Sequence, residues 1–91
     1  MSHSKPEASY EIMTDGEEGE VYIYSLTKED AECTLFGVRV VMKYQGTLYR
    51  AESGVIFSDH RRAHDFLVFL AKHLVTPANL PYVIEDVLDF D

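Results

Sequence analysis

Apolar and polar residues alternate along residues 35–44, which is the period of a β-strand with one buried face. The apolar positions are Phe36, Val38, Val40, Met42 and Tyr44. Gln45-Gly46 follows as a turn, and residues 48–57 supply a second strand of similar length. The pattern therefore predicts an antiparallel hairpin.

A two-residue loop at Gln45-Gly46 would fix the register of this hairpin. On the apolar face the predicted pairs are Met42 with Tyr49, Val40 with Ala51, Val38 with Ser53 and Phe36 with Val55. On the other face Arg39 meets Glu52, an opposite-charge pair that supports the register. Gln45 is an unfavourable residue for a positive φ, so a longer loop with a bulge is the alternative.

The residues before the hairpin predict at least one more strand. Residues 21–26 are rich in β-branched and aromatic side chains, and the polar residues 27–32 that follow predict a turn. A short additional strand is an option over residues 10–13.

The residues after the hairpin predict two helices. Ser58 and Asp59 offer side-chain acceptors for a helix N-terminus. The apolar residues that follow recur at helical spacing: Ala63, Phe66, Leu67, Leu70 and Leu74. Pro77 interrupts this helix, and Pro81 is well placed to begin a second one.

The sequence thus predicts an α+β fold. Its antiparallel sheet has about three strands, with a fourth N-terminal strand as an option, and is followed by two C-terminal helices packed on one face. We expect residues 1–19 to form a flexible acidic segment and residues 20–91 to form a single domain.

Composition narrows the range of functions. The chain has 91 residues and a formal net charge of −8, and this charge disfavours nucleic acid as a partner. No apolar run approaches the ~20 residues of a membrane span, so we expect no membrane association. The single Cys33 excludes an internal disulfide and suits a reducing compartment, which predicts a cytoplasmic location.

Three segments resemble a known family. Residues 36–40 (FGVRV), 55–59 (VIFSD) and 75–88 (VTPANLPYVIEDVL) are similar, in this order, to motifs of small uncharacterised proteins from clostridia and related Firmicutes. These proteins share a domain of unknown function. The resemblance covers residues 21–88, and Pro81 and Tyr82 depart from the family pattern. It implies the same element order and a bacterial, cytoplasmic setting, and it implies no activity.

Candidate chemistry is sparse. His60 and His64 have the i, i+4 spacing of a helical metal site, which makes them weak candidate ligands. Arg61 and Arg62 stand between them and disfavour a cation, and the sequence suggests no third ligand. We therefore predict no metal, no cofactor and no catalytic residue.

Two helices can cover only one face of the predicted sheet, and the other face then carries mixed apolar and charged residues. This predicted interaction surface consists of Leu35, Arg39, Val41, Lys43, Leu48, Arg50 and Ile56. It suggests a non-enzymatic protein-interaction module that self-associates as a homodimer, through this face or through an edge strand.

Three alternatives remain open at this point. The chain could be a monomer whose N-terminal segment covers the second sheet face with Ile12 and Met13. It could be a small enzyme or metal-binding protein that uses His60, His64 and nearby acids. It could also be an acidic decoy for a nucleic-acid-binding protein.

Overall fold

The computed structural model describes residues 7–30 and 32–89, and within them four strands precede two helices. The elements are β1 (Glu7–Asp15), β2 (Val21–Asp30), β3 (Thr34–Tyr44), β4 (Thr47–Phe57), α1 (His60–Lys72) and α2 (Leu80–Asp89). Each strand pairs antiparallel with the next, which gives the sheet order β1-β2-β3-β4. The α+β prediction is confirmed, and the optional N-terminal strand is present.

Both N-terminal strands are longer than predicted. β1 extends over Glu7–Asp15 and not only over residues 10–13, and β2 continues to Asp30 through residues predicted to form a turn. Pairing with β3 explains the second difference, because it continues without a shift as far as Asp30 opposite Thr34. The flexibility of residues 1–19 stays a prediction, although residues 7–15 of that segment form β1.

The β3–β4 turn has the predicted two-residue form. Gln45 has a φ of 50° and Gly46 a φ of 80°, so both central residues have the positive φ of a type I′ turn. The predicted register holds from Tyr44 opposite Thr47 to Arg39 opposite Glu52.

Beyond Glu52 the predicted register is wrong. Two shifts in the β3–β4 ladder place Val55 opposite Gly37, and Phe57, in place of Val55, opposite Phe36. Gly54 has a φ of 72°, as a bulge residue commonly does. The Val38 N–H donates to Ser53 Oγ at 3.0 Å, so a side chain replaces a ladder bond here.

A glycine in β3 makes this bulge sterically feasible. A Cβ at Gly37 would overlap the carbonyl oxygen of Gly54, so the bulged strand approaches β3 where β3 has no side chain.

Capping hydrogen bonds define the two ends of α1. Asp59, and not Ser58, is the N-cap, and its side chain accepts from the Arg61 N–H at 3.0 Å. At the other end the Val75 N–H donates to the Leu70 carbonyl oxygen at 3.1 Å, which with Leu74 in the left-handed region (φ 48°) forms a Schellman cap.

The core lies between the two helices and one face of the sheet. The buried apolar side chains are Tyr22, Tyr24, Leu26, Phe36, Val38, Val40, Phe57, Ala63, Phe66, Leu67, Leu70, Val75 and Leu80. The shortest dimension of the molecule is 18 Å, which accommodates one sheet and one helix layer. The second face of the sheet is therefore left uncovered by α1 and α2.

Candidate interaction surface

The side of the sheet that α1 and α2 leave uncovered is built from three rows of cross-strand neighbours. The rows, written from β1 to β4, are Glu11–Ser25–Arg39–Glu52, Met13–Ile23–Val41–Arg50 and Asp15–Val21–Lys43–Leu48. Their side chains share one face because each alternates with a core residue along its strand. These twelve residues are called the open face below.

Apolar side chains occupy the centre of the open face. Ile23 and Val41 are paired in the two middle strands and are half-buried. Towards the periphery, Met13 is 69% exposed and Leu48 is 65% exposed. An apolar centre of this kind with a polar surround is typical of a protein-binding surface.

Charges on the open face are segregated by strand. β1 contributes the acidic Glu11 and Asp15, whereas β3 and β4 contribute Arg39, Lys43 and Arg50. With Glu52, the open face holds three acidic and three basic side chains, so its net charge is zero although the whole chain carries −8. The acidic excess of the chain thus lies elsewhere.

Two side-chain hydrogen bonds connect residues of the row Glu11–Ser25–Arg39–Glu52. Arg39 Nε donates to Glu52 Oε2 at 2.9 Å, and the Ser25 hydroxyl donates to Glu11 Oε2 at 3.2 Å. Ser25 is buried on this face between its strand neighbours Glu11 and Arg39. The Arg39–Glu52 pair predicted from the register is therefore present.

The structure brings five of the seven predicted interaction residues together on the open face. They are Arg39, Val41, Lys43, Leu48 and Arg50. Leu35 has the same orientation further along β3 and is half-buried. The Ile56 side chain lies outside the described part of the structure.

Sequence reasoning missed the β1 half of this surface. Glu11, Met13 and Asp15 alternate with the inward Ile12 and Thr14, so a period-two pattern was present in the sequence. The pattern is short and mostly polar, and it predicted only a strand over residues 10–13.

The N-terminal segment does not lie across the open face over residues 7–15. It pairs beside β2 in the plane of the sheet, and Ile12 packs against the core on the helix side. Met13 faces the opposite way. β1 therefore widens the open face, whereas the monomer alternative required it to cover that face.

The two candidate metal ligands lie in ring contacts. The imidazoles of His60 and His64 have centroids 6.2 Å apart, and each packs on an aromatic ring. Phe36 lies 5.2 Å from His60, and Tyr10 lies 4.8 Å from His64. Within residues 7–30 and 32–89 no group of three or more His, Cys, Asp or Glu side chains could hold a metal ion.

A shallow groove of ≈ 510 Å³ lies on the helix side of the sheet, between β3, β4 and the segment that joins α1 to α2. Its lining residues are Met42, Tyr49, Arg50, Thr76, Pro77 and Ala78. Arg50 belongs to the open face by its position in β4, and because β4 is an edge strand it also borders this groove. Among the residues that the structure describes, this lining includes no carboxylate and no histidine. Tyr49 was predicted to face the core, and it lies on that side but remains exposed at the rim of the sheet.

The pKa shifts belong to groups with structural roles. Backbone N–H groups of Glu20 and Glu18 lower the pKa of the Glu20 carboxyl, which holds the β1–β2 turn. Burial raises the pKa of Tyr22, and burial also raises that of Tyr24, whose hydroxyl donates to the Val75 carbonyl oxygen at 3.0 Å. These contacts stabilise the fold and form no reactive pair.

The chain belongs to a family of unknown function, DUF6514, whose model matches residues 3–90. No curated protein and no solved structure matches the chain significantly. Neither helix in the described part of the chain has the length and hydropathy needed to cross a membrane.

Proposed function

We propose that this chain is a non-enzymatic protein-interaction module that self-associates as a homodimer through the open face. The observation that carries the proposal is the composition of that face: an apolar centre at Ile23 and Val41, surrounded by charges of both signs that sum to zero. A surface with no net charge can meet a copy of itself without the repulsion that the rest of this acidic chain would cause. We also propose a bacterial, cytoplasmic setting, in keeping with the single free Cys33.

The dimensions of the open face favour a weak dimer. Four strands about 4.8 Å apart and three rows about 6.8 Å apart span roughly 19 by 20 Å. Two such faces would together bury on the order of 1,000 Å² of accessible surface, because protruding side chains add to the flat area. This is at the low end for a specific interface. We therefore expect dissociation in the micromolar range or above.

The alternatives have less support. An enzyme or metal site would need His60 and His64 to converge with a third polar group, but both imidazoles pack on aromatic rings. An acidic decoy would need its carboxylates in one continuous stripe. On the open face Glu11 and Asp15 instead share a surface with three basic residues, so this face does not provide such a stripe.

The proposal is tested by sedimentation equilibrium and light scattering from low to several hundred micromolar protein. Val41→Glu places a charge in the apolar centre and should shift the chain to monomer while its circular dichroism spectrum stays unchanged. Val68→Glu is the matched control, because Val68 is 41% exposed on α1, in the helix layer. It should leave association as it is in the wild type.

Three results would contradict the proposal. A wild-type chain that is strictly monomeric at several hundred micromolar does not self-associate. If Val41→Glu unfolds the chain, Val41 is part of a core and the open face is covered. If Val68→Glu dissociates the dimer and Val41→Glu does not, the interface is on the helix layer.

A further inference from the structure

We infer that the two copies pack open face to open face about a two-fold axis that runs along the strands, so that β1 of each copy lies over β4 of the other. This arrangement rests on the self-association proposed above and specifies its geometry. The segregation of acidic and basic side chains between β1 and the β3–β4 pair carries it.

If the two sheets pack with their strands aligned, symmetry leaves two ways to place the same sheet face against itself. A face-to-face dimer needs its two-fold axis in the plane between the sheets, directed along the strands or across them. An axis along the strands reverses the strand order, so β1 faces β4 and β2 faces β3. An axis across the strands places every strand over its own copy. Packed sheets tolerate a rotation of about 30° between strand directions, which preserves this distinction.

The charges discriminate between the two arrangements. With the axis across the strands, Glu11 and Asp15 of one copy would meet the same two carboxylates of the other. Arg50 would likewise meet Arg50, since it lies in the central row. Like charges brought together in an interface are unfavourable. With the axis along the strands, the acidic β1 meets the strand that carries Arg50.

With the axis along the strands, each row of one copy also lies over the same row of the other copy. Arg50 of one copy lies opposite Met13 of the other, with Glu11 and Asp15 one row away on either side, at about 6.8 Å along β1. A guanidinium on a long side chain can reach either carboxylate. In the centre of the same row, Ile23 lies over Val41, so the apolar residues are buried against each other.

The remaining like-charge encounter is compensated within each chain. Glu11 would lie over Glu52, and Glu52 is already paired with Arg39 at 2.9 Å. Arg39 in turn would lie over Ser25, the neighbour that donates to Glu11. The first row thus brings a guanidinium close to both carboxylates.

Charge reversal tests the direction of the axis. Arg50→Glu should weaken dimerisation by about tenfold or more, because both symmetric contacts with β1 become repulsive. Adding Glu11→Arg and Asp15→Arg to Arg50→Glu in one chain should restore most of the wild-type affinity. Lys72→Glu, the same change in charge on the exposed end of α1, is the control and should have little effect.

Salt gives a second measurement when two variants of equal net charge are compared, because salt also screens the overall repulsion between two chains of −8. If opposite charges meet, raising NaCl from about 0.05 M to 0.5 M should weaken the Lys72→Glu dimer relative to the Arg50→Glu dimer. With the axis across the strands the two variants should respond alike, because position 50 then meets its own copy in both. Dissociation constants come from sedimentation equilibrium in both experiments.

Each outcome separates this inference from the proposal on which it rests. Weakening by Arg50→Glu, rescue by the triple variant and a stronger weakening by salt of Lys72→Glu than of Arg50→Glu together support the axis along the strands. If Val41→Glu still dissociates the dimer but Arg50→Glu has no effect, or if the triple variant does not rescue, the axis is wrong and the open-face dimer stands. A monomeric wild type overturns both.

Discussion

The two faces of this sheet differ although the same strands build them, and β3 shows the difference at adjacent residues. Val40 is fully buried beneath the helices, whereas Val41 is half-buried on the open face. The covered face also carries the large side chains Tyr22, Tyr24 and Leu26, and the open face carries Ser25 in their midst. The helices cover the face whose side chains are apolar and aromatic, whereas the open face mixes apolar side chains with charged ones.

The largest expected effect comes from truncating these two valines. Val40→Ala should lower the free energy of unfolding by about 2–3 kcal/mol, because it removes two buried methyl groups and leaves a cavity in a packed core. Val41→Ala should cost less than about 1 kcal/mol in the monomer, where its surroundings are partly solvent. Urea unfolding at a protein concentration well below the dissociation constant of the proposed dimer measures both.

Each of the two substitutions serves as the control for the other, because both change valine to alanine in the same strand and lose the same β-propensity. Equal losses of stability at the two positions would mean that the open face is covered within one chain. A larger loss at Val41 than at Val40 would invert the assignment of the two faces.

A smaller effect is expected for the polar anchor of the covered face. Tyr24→Phe should cost about 1–2 kcal/mol at neutral pH, because it leaves the buried Val75 carbonyl oxygen without its donor. The same tyrosine makes stability depend on alkaline pH. Its pKa is raised in the folded chain by burial and by Tyr22, from an ordinary value of 10.0.

The folded and unfolded chains lose the Tyr24 proton at different pH, and stability depends on pH between these values. Below pH 10 both folded and unfolded chains keep the Tyr24 proton, so the full stability is present there. Above that pH the unfolded chain loses the proton first, and stability falls as pH rises. Tyr24→Phe should flatten this alkaline decline in unfolding curves measured from pH 9 to 11. An unchanged slope would show that Tyr24 ionises as easily in the folded state.

The sequence predicted the β3–β4 turn better than the bulge that follows it, for physical reasons. Period-two alternation and Gly46 sufficed for the turn and the register as far as Glu52. The bulge beyond it depends on the close approach of Gly54 to Gly37, which is a tertiary contact without a local pattern. The positive φ of Leu74 has no local signal either, since a glycine is the usual residue there.

The charge segregation of the open face could not be read from the hairpin alone. Its basic half lies in β3 and β4, which the alternation predicted, but its acidic half is Glu11 and Asp15 in β1. Whether these acids share a face with Arg50 depends on the register of two further strand pairs. The sequence alone therefore predicted the basic part of the open face and not its acidic part, which depends on the pairing of β1 with β2.

The smallest expected effect concerns the Arg39–Glu52 pair, whose side chains are 25% and 44% exposed. A double-mutant cycle with Arg39→Ala and Glu52→Ala should give a coupling of about 0.5 kcal/mol in the monomer, because water screens such a pair. If the open face is an interface, the dimer excludes that water, and the coupling measured on the dissociation constant should exceed the monomer value. Equal coupling in both measurements would place the pair outside the interface. The difference between the two couplings therefore measures whether water is excluded from the open face when two chains associate.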